Sequence, residues 1–193
     1  KRDHSDKFFF LNGLICGAKK NHIEAINFFK RSIELNPNES LFYFNASIAL
    51  NSIGNYIESI NFSKKTIDLD PQNFNAWFNY GNSLRSLNRF SESIKCYEKT
   101  LKIENNFENA KINMSLSLID IGEIKKAIDV LKSILLKNNN NISALTTLAL
   151  SYLLSEQYEN GLFYSNKVIM PRNIIAKNLG KIKIDEIFTH VNN

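Results

Sequence analysis

The sequence contains few of the residues that mark the most specialised classes of protein. Its 193 residues include only two cysteines, three prolines and one tryptophan. Cys16 and Cys96 are far apart and have no metal-binding spacing beside them, so neither a disulfide framework nor a metal site is predicted. A reducing, cytoplasmic location is therefore the simpler expectation. No apolar run reaches the roughly 18 residues that a membrane-spanning helix needs, and no membrane span is predicted.

Strong charge of one sign is also missing. The chain has 24 basic and 19 acidic residues and a net charge of +5, without a block of five or six like charges. Binding to nucleic acid is therefore not expected. The hydrophobic share of 44% is high enough for the chain to fold.

The sequence repeats itself every 34 residues without gaps. Position eight of the repeat holds a small residue in all five copies, and so does position twenty. Small residues are needed where two antiparallel helices cross closely. Position seventeen holds a large residue in every copy, and Pro37 and Pro71 stand at position thirty-two of the first two copies. The five repeats cover 6–39, 40–73, 74–107, 108–141 and 142–175.

Each repeat is predicted to form two helices. Proline and asparagine-rich turns end helices, so positions one to fourteen and fifteen to thirty are interpreted as helix A and helix B. After Pro171 the pattern stops, but Ile175, Leu179 and Ile182 keep helical spacing. Residues 176–193 are predicted to form a capping helix, with a linker as the alternative.

This pattern of bulky, small and aromatic residues ending in proline resembles the tetratricopeptide repeat family. The resemblance implies an all-α, right-handed solenoid of five helix-turn-helix repeats. It weakens in the last two repeats, where Lys111 replaces a bulky residue and Ser165 an aromatic one.

Catalytic motifs are missing. The sequence contains no phosphate-binding loop, nucleophile elbow or zinc-protease motif. His22 occupies the position that large packing residues fill in other repeats, and both cysteines are predicted to be packing residues. We expect no enzymatic activity, no cofactor and no metal.

Asparagine recurs at position six of the three central repeats, as Asn45, Asn79 and Asn113. An amide can pair with the C=O and N–H of a peptide unit, so one amide in each repeat could hold an extended main chain. The row is similar to the asparagine ladder of the O-linked N-acetylglucosamine transferases. Packing, in an asparagine-rich sequence, is the alternative interpretation.

An apolar strip is predicted beside this row. Position five supplies Phe10, Phe44 and Phe78, and position nine supplies Ile48 and Asn82. The rings are expected to pack partly against neighbouring repeats and to present their edges to a groove. The cations with which some tetratricopeptide repeats clamp acidic chaperone tails are missing from the corresponding positions.

The sequence thus predicts a protein-interaction module that binds an extended peptide of a partner in the groove formed by the A helices. Two alternatives remain at this stage. The chain could be the substrate-recognition arm of a larger glycosyltransferase, or a scaffold that associates with itself.

Overall fold

In the computed structural model of the protein, residues 5–167 are described, and they form helix pairs joined by short turns. The ten helices of this part of the chain are α1 (Ser5–Ala18), α2 (His22–Leu35), α3 (Ser40–Ser52), α4 (Tyr56–Leu69), α5 (Phe74–Ser86), α6 (Phe90–Ile103), α7 (Glu108–Asp120), α8 (Ile124–Leu135), α9 (Ile142–Leu154) and α10 (Tyr158–Lys167). This confirms the predicted all-α class. Helix B begins at position seventeen of each repeat, two positions later than predicted. The proposed capping helix at 176–193 lies outside the described residues.

The turn between the paired helices has the same construction in every repeat. Position fifteen adopts a positive φ in each copy, and the next backbone N–H donates back to the carbonyl at position eleven. This is the Schellman arrangement, which satisfies carbonyl groups at the end of a helix. The five residues at position fifteen are Lys20, Gly54, Asn88, Gly122 and Glu156.

Asparagine side chains begin several of the helices. The Oδ1 atom of Asn73 accepts a hydrogen bond from the N–H of Ala76 at 3.0 Å, and that of Asn141 accepts one from Ala144 at 2.9 Å. Each bond satisfies a backbone donor that has no partner within the helix. Part of the asparagine content therefore specifies helix boundaries.

The described part of the chain divides into two compact units, the first ending at Phe107 and the second beginning at Glu108. The core of the first unit includes a cluster of Ala25, Ile26, Phe29, Ala46, Ala49 and Leu50. The core of the second is built on Ile112, Ile128, Leu131, Ile134, Ala144, Leu148 and Tyr152. The boundary between the units falls between the third and fourth repeats.

All ten small residues at positions eight and twenty are buried, as their steric role predicts. Gly81 shows the reason directly, because a Cβ atom at this position would lie 2.7 Å from Cε1 of Tyr97. Gly13 faces Phe29 in the same way, at 2.5 Å. These glycines allow helix A and helix B of a repeat to approach over an aromatic ring.

Candidate functional site

A stripe of apolar side chains is exposed on α1 and α3. Leu11 and Leu14 of α1 are 58% and 38% exposed, and Leu41 and Ile48 of α3 are 45% and 41% exposed. They stand at positions two, six and nine of the repeat, which share one face of a helix. The two helices are neighbours, since the rings of Phe10 and Phe42 contact each other with centroids 4.9 Å apart. The exposed apolar residues of the two helices therefore form one apolar surface.

A pocket of about 220 Å³ opens within this surface. Its walls come from α1, α2 and α3, and His22 is the only titratable residue among them. The lining residues are Leu14, Gly17, Ala18, His22, Phe29, Asn45, Ile48 and Ala49. The pocket suits an apolar side chain, and the Asn45 amide supplies a polar group at its wall.

Asn45 lies on α3 and lines the pocket. It is half-buried, and its Nδ2 donates to the carbonyl of Leu41 at 2.8 Å within the same helix. Asn113 has the same position on α7 of the second unit and is also half-buried.

Asn79 is placed differently from its predicted role and requires a correction. It is only 8% exposed, and its Nδ2 donates to the hydroxyls of Ser47 at 2.8 Å and Ser63 at 3.3 Å. Its Oδ1 accepts from the amide of Asn51 at 3.2 Å. The amide is thus committed to contacts among α3, α4 and α5, and a peptide could bind to it only by displacing them. We remove Asn79 from the peptide-binding set.

The three phenylalanines at position five are all half-buried. Phe10 packs on Phe29 and Phe42, and Phe78 packs on Tyr97 and Phe107 with centroids 5.9 and 4.9 Å apart. Both rings therefore stabilise the helix packing. Phe44 is half-buried as well.

Asn82 also makes a hydrogen bond inside the fold. Its Oδ1 accepts the hydroxyl of Tyr97 at 2.9 Å, which fixes the ring over Gly81. Of the predicted site residues, Asn45 and Ile48 are thus brought together at the pocket. Leu14, at the same position as Ile48, joins them. Leu41, at position two, is an exposed apolar residue of the same surface that was not among the predicted site residues.

The repeat pattern matches a known family over two segments. Residues 7–39 and residues 74–107 each match a tetratricopeptide repeat, and the second match coincides with the third repeat. The first and third repeats are tetratricopeptide repeats.

Several solved structures have the same fold. MamA 41-end from Desulfovibrio magneticus RS-1 has a TM-score of 0.82 at 16% identity, over 88% of this chain and 96% of that one. YrrB, described as a TPR protein with an unusual peptide-binding site, has a TM-score of 0.72 at 13% identity, over 96% and 91%. The Arabidopsis OM64 TPR domain has a TM-score of 0.58 at 21% identity, over 58% and 93%. No curated protein sequence matches the chain.

In this chain, the exposure of Asn45 and Asn79 at position six follows the size of the residue at position twenty-four of the preceding repeat. Phe29 holds this position before Asn45, and its ring lines the pocket with that amide. Before Asn79 the position is Ser63, whose short side chain leaves room for the amide and accepts its hydrogen bond. The aromatic residue keeps the asparagine at the surface, and the serine lets it become buried.

The two cysteines have the packing roles that the sequence predicts for them. Cys96 is buried beside Ile60 and Leu84, and burial raises the pKa of its thiol to about 12. Cys16 is half-buried, and burial followed by the charge of Glu24 raises its pKa. Residues 5–167 contain neither a group of three potential metal ligands nor a helix with the length and hydropathy that crossing a membrane requires.

The high thiol pKa of Cys96 predicts low reactivity in the folded protein. In a Cys16→Ser variant, only Cys96 remains to react with an aromatic disulfide reagent. At pH 8 a thiol of this pKa is ionised to the extent of roughly one part in 10⁴. We expect negligible reaction until denaturant is added, and full reaction afterwards. Rapid reaction of the native variant would contradict the buried position of Cys96.

Proposed function

We propose that the chain is a protein-interaction module that binds an extended peptide segment of a partner on the surface formed by α1 and α3. The observation that carries the proposal is the exposed apolar stripe with a pocket in its centre. Single exposed hydrophobic residues are ordinary, but a contiguous apolar surface marks an interaction site. The peptide-binding site in the description of YrrB supports the same use of this fold.

The surface favours a particular kind of peptide. Leu14, Phe29 and Ile48 offer apolar contacts, so an anchoring leucine, isoleucine or phenylalanine of the partner would enter the pocket. Asn45 adds one amide that can pair with the partner's main chain, as the sequence predicts for its position. With Asn79 inside the fold, main-chain recognition rests on fewer amides than a ladder would supply.

Peptide binding should depend on Leu14 and Ile48. Peptides of twelve residues, selected on the chain from a random library, would be synthesised and titrated by calorimetry. Leu14→Asp combined with Ile48→Asp places two charges on the apolar surface and should weaken binding at least tenfold, because a buried unpaired charge is costly. Both side chains are exposed, so helicity by circular dichroism should be unchanged.

The matched control is Ile23→Asp combined with Ile57→Asp, which makes the same change in charge at exposed isoleucines of α2 and α4 that do not line the pocket. Ile23 and Ile57 are 68% and 69% exposed, and their replacement should leave the affinity within twofold. Equal affinity of the selected peptides for the wild type and the double variant would place the binding surface elsewhere.

Self-association is a second candidate, favoured by the outer face of α1. Phe8 and Ile15 are 63% and 44% exposed, whereas Phe42 and Ala49, at the same positions of the second repeat, are 3% and 4% exposed. In the second repeat this face is covered by the first. Another copy of the chain could cover it on α1.

Sedimentation velocity over a concentration series would test self-association. A dimer that Phe8→Asp and Ile15→Asp abolish would establish it. A monomer at all concentrations would leave peptide binding as the function.

A further inference from the structure

The second unit contains a larger pocket, of about 400 Å³, between α8, α9 and α10. This volume lies within the range of roughly 300 to 1,000 Å³ that ligand pockets have. No acidic residue is among the described residues that line it. They are Lys132, Leu135, Leu136, Asn139, Leu145, Tyr164 and Lys167.

In earlier repeats, aromatic residues of the protein itself occupy the equivalent place. Position four of the second and third repeats is Tyr43 and Trp77. The hydroxyl of Tyr43 donates to the carbonyl of Pro37 at 3.1 Å, and Nε1 of Trp77 donates to the carbonyl of Pro71 at 3.2 Å. In both repeats, an aromatic ring with a hydrogen-bond donor at its far end thus fills the space beside position thirty-two.

In the fifth repeat, the residue at position four is smaller. Leu145 stands at position four and Asn139 at position thirty-two of the repeat before it. Leu145 is buried, but it has neither a ring nor a donor. The pocket therefore corresponds to the volume that Tyr43 and Trp77 occupy in their own repeats.

Positive charge is concentrated at this pocket. The ammonium group of Lys132 lies 5.7 Å from the ring centroid of Tyr152, and that of Lys167 lies 4.6 Å from Phe163 and 5.7 Å from Tyr164. Cation–π contacts of this kind hold lysine side chains in place and leave donors for an anion. Two cations beside an apolar wall favour a ligand that is apolar in its centre and negatively charged around it.

We propose that the pocket between α8, α9 and α10 binds a tryptophan or tyrosine side chain of a partner segment in which the neighbouring residues are acidic. The ring takes the place that Trp77 has in the third repeat, and its N–H or O–H donates to the main-chain carbonyl of Asn139. The flanking carboxylates pair with Lys132 and Lys167.

Fluorescence anisotropy with labelled synthetic peptides tests the proposal on the full chain. The probe is Asp-Glu-Trp-Glu-Asp, with Asp-Glu-Ala-Glu-Asp and Lys-Lys-Trp-Lys-Lys as comparisons. The first peptide should bind, and each of the others should bind at least tenfold more weakly. No measurable binding of the first peptide, or equal binding of the alanine peptide, would overturn the proposal.

Two variants locate the binding at this pocket. Leu145→Trp restores the residue type of the third repeat, so it should fill the pocket, raise the melting temperature and weaken peptide binding at least tenfold. Lys132→Glu combined with Lys167→Glu should also weaken binding at least tenfold, and it keeps the test valid if the tryptophan variant fails to fold.

The charge control is Lys125→Glu combined with Lys126→Glu. It makes the same change in net charge on exposed lysines of α8 that do not line the pocket. Affinity within twofold of the wild type is expected for this control. If it weakened binding as much as the pocket variants did, the interaction would be a general charge effect and the proposal would be wrong.

Discussion

Replacing Gly81 with leucine should destabilise the fold by about 3 kcal/mol, because the new side chain has no space between α5 and α6. The first added carbon would already lie 2.7 Å from Cε1 and 3.0 Å from Cδ1 of Tyr97. Tyr97 cannot move aside easily, since it is fully buried, contacts Phe78 and donates its hydroxyl to Asn82. Overpacking of this kind forces shifts of side chains and backbone.

Gly17→Leu is the matched control for this prediction. Gly17 is also a helical glycine, but no heavy atom lies within 4 Å of the position of its Cβ. Leucine there should be neutral or should stabilise the helix by up to about 1 kcal/mol, because glycine is a poor helix former. Urea denaturation of both variants gives the two free energies of unfolding. Similar values for Gly81→Leu and Gly17→Leu would refute the steric role of position eight.

Much of the fold could be predicted because its determinants are local. Position eight is small in every repeat, and a 34-residue comparison of the sequence shows this directly. The turn residues at position fifteen and the capping asparagines Asn73 and Asn141 also act within a few residues of themselves. Such features can be identified within one repeat, and their recurrence in the next repeat confirms them.

Pairs of positions carry information that single positions do not. Glycine at position eight accompanies an aromatic residue at position twenty-four, as in Gly13 with Phe29 and Gly81 with Tyr97. In the second repeat both positions are serine, Ser47 and Ser63. An aromatic ring covers the glycine in the first and third repeats, whereas the serine pair leaves a polar space inside the first unit that the Asn79 amide occupies.

The candidate site was predicted less accurately than the fold, because the burial of a residue depends on such pairs of positions. Asn45 and Asn79 are identical in type and repeat position, and they differ in the residues that the preceding repeat places beside them. Phe29 keeps Asn45 at the surface, whereas Ser63 admits Asn79 to the interior. The apolar surface could not be predicted for a similar reason. Its residues lie on two helices, and they form one surface only because α1 and α3 lie side by side.

Asn79→Ala should therefore destabilise the protein, whereas Asn45→Ala should not. The Asn79 change removes hydrogen bonds to Ser47, Ser63 and Asn51 and leaves those buried groups without these partners. Loss of a partner in a buried polar network costs about 1 to 3 kcal/mol for each unsatisfied group, less where groups re-pair. We expect a loss of roughly 2 to 4 kcal/mol in the free energy of unfolding.

Asn45→Ala removes one amide of the same type at the same repeat position, but from a half-buried site whose hydrogen bond lies within its own helix. Its effect on stability should stay within about 0.5 kcal/mol. Urea denaturation measures both variants, and calorimetric titration of a selected peptide measures what each change does to binding. Equal stability of the two variants would mean that Asn79 does not hold α3, α4 and α5 together. A difference in stability would assign Asn79 to packing and leave Asn45 as the amide available to a partner's main chain.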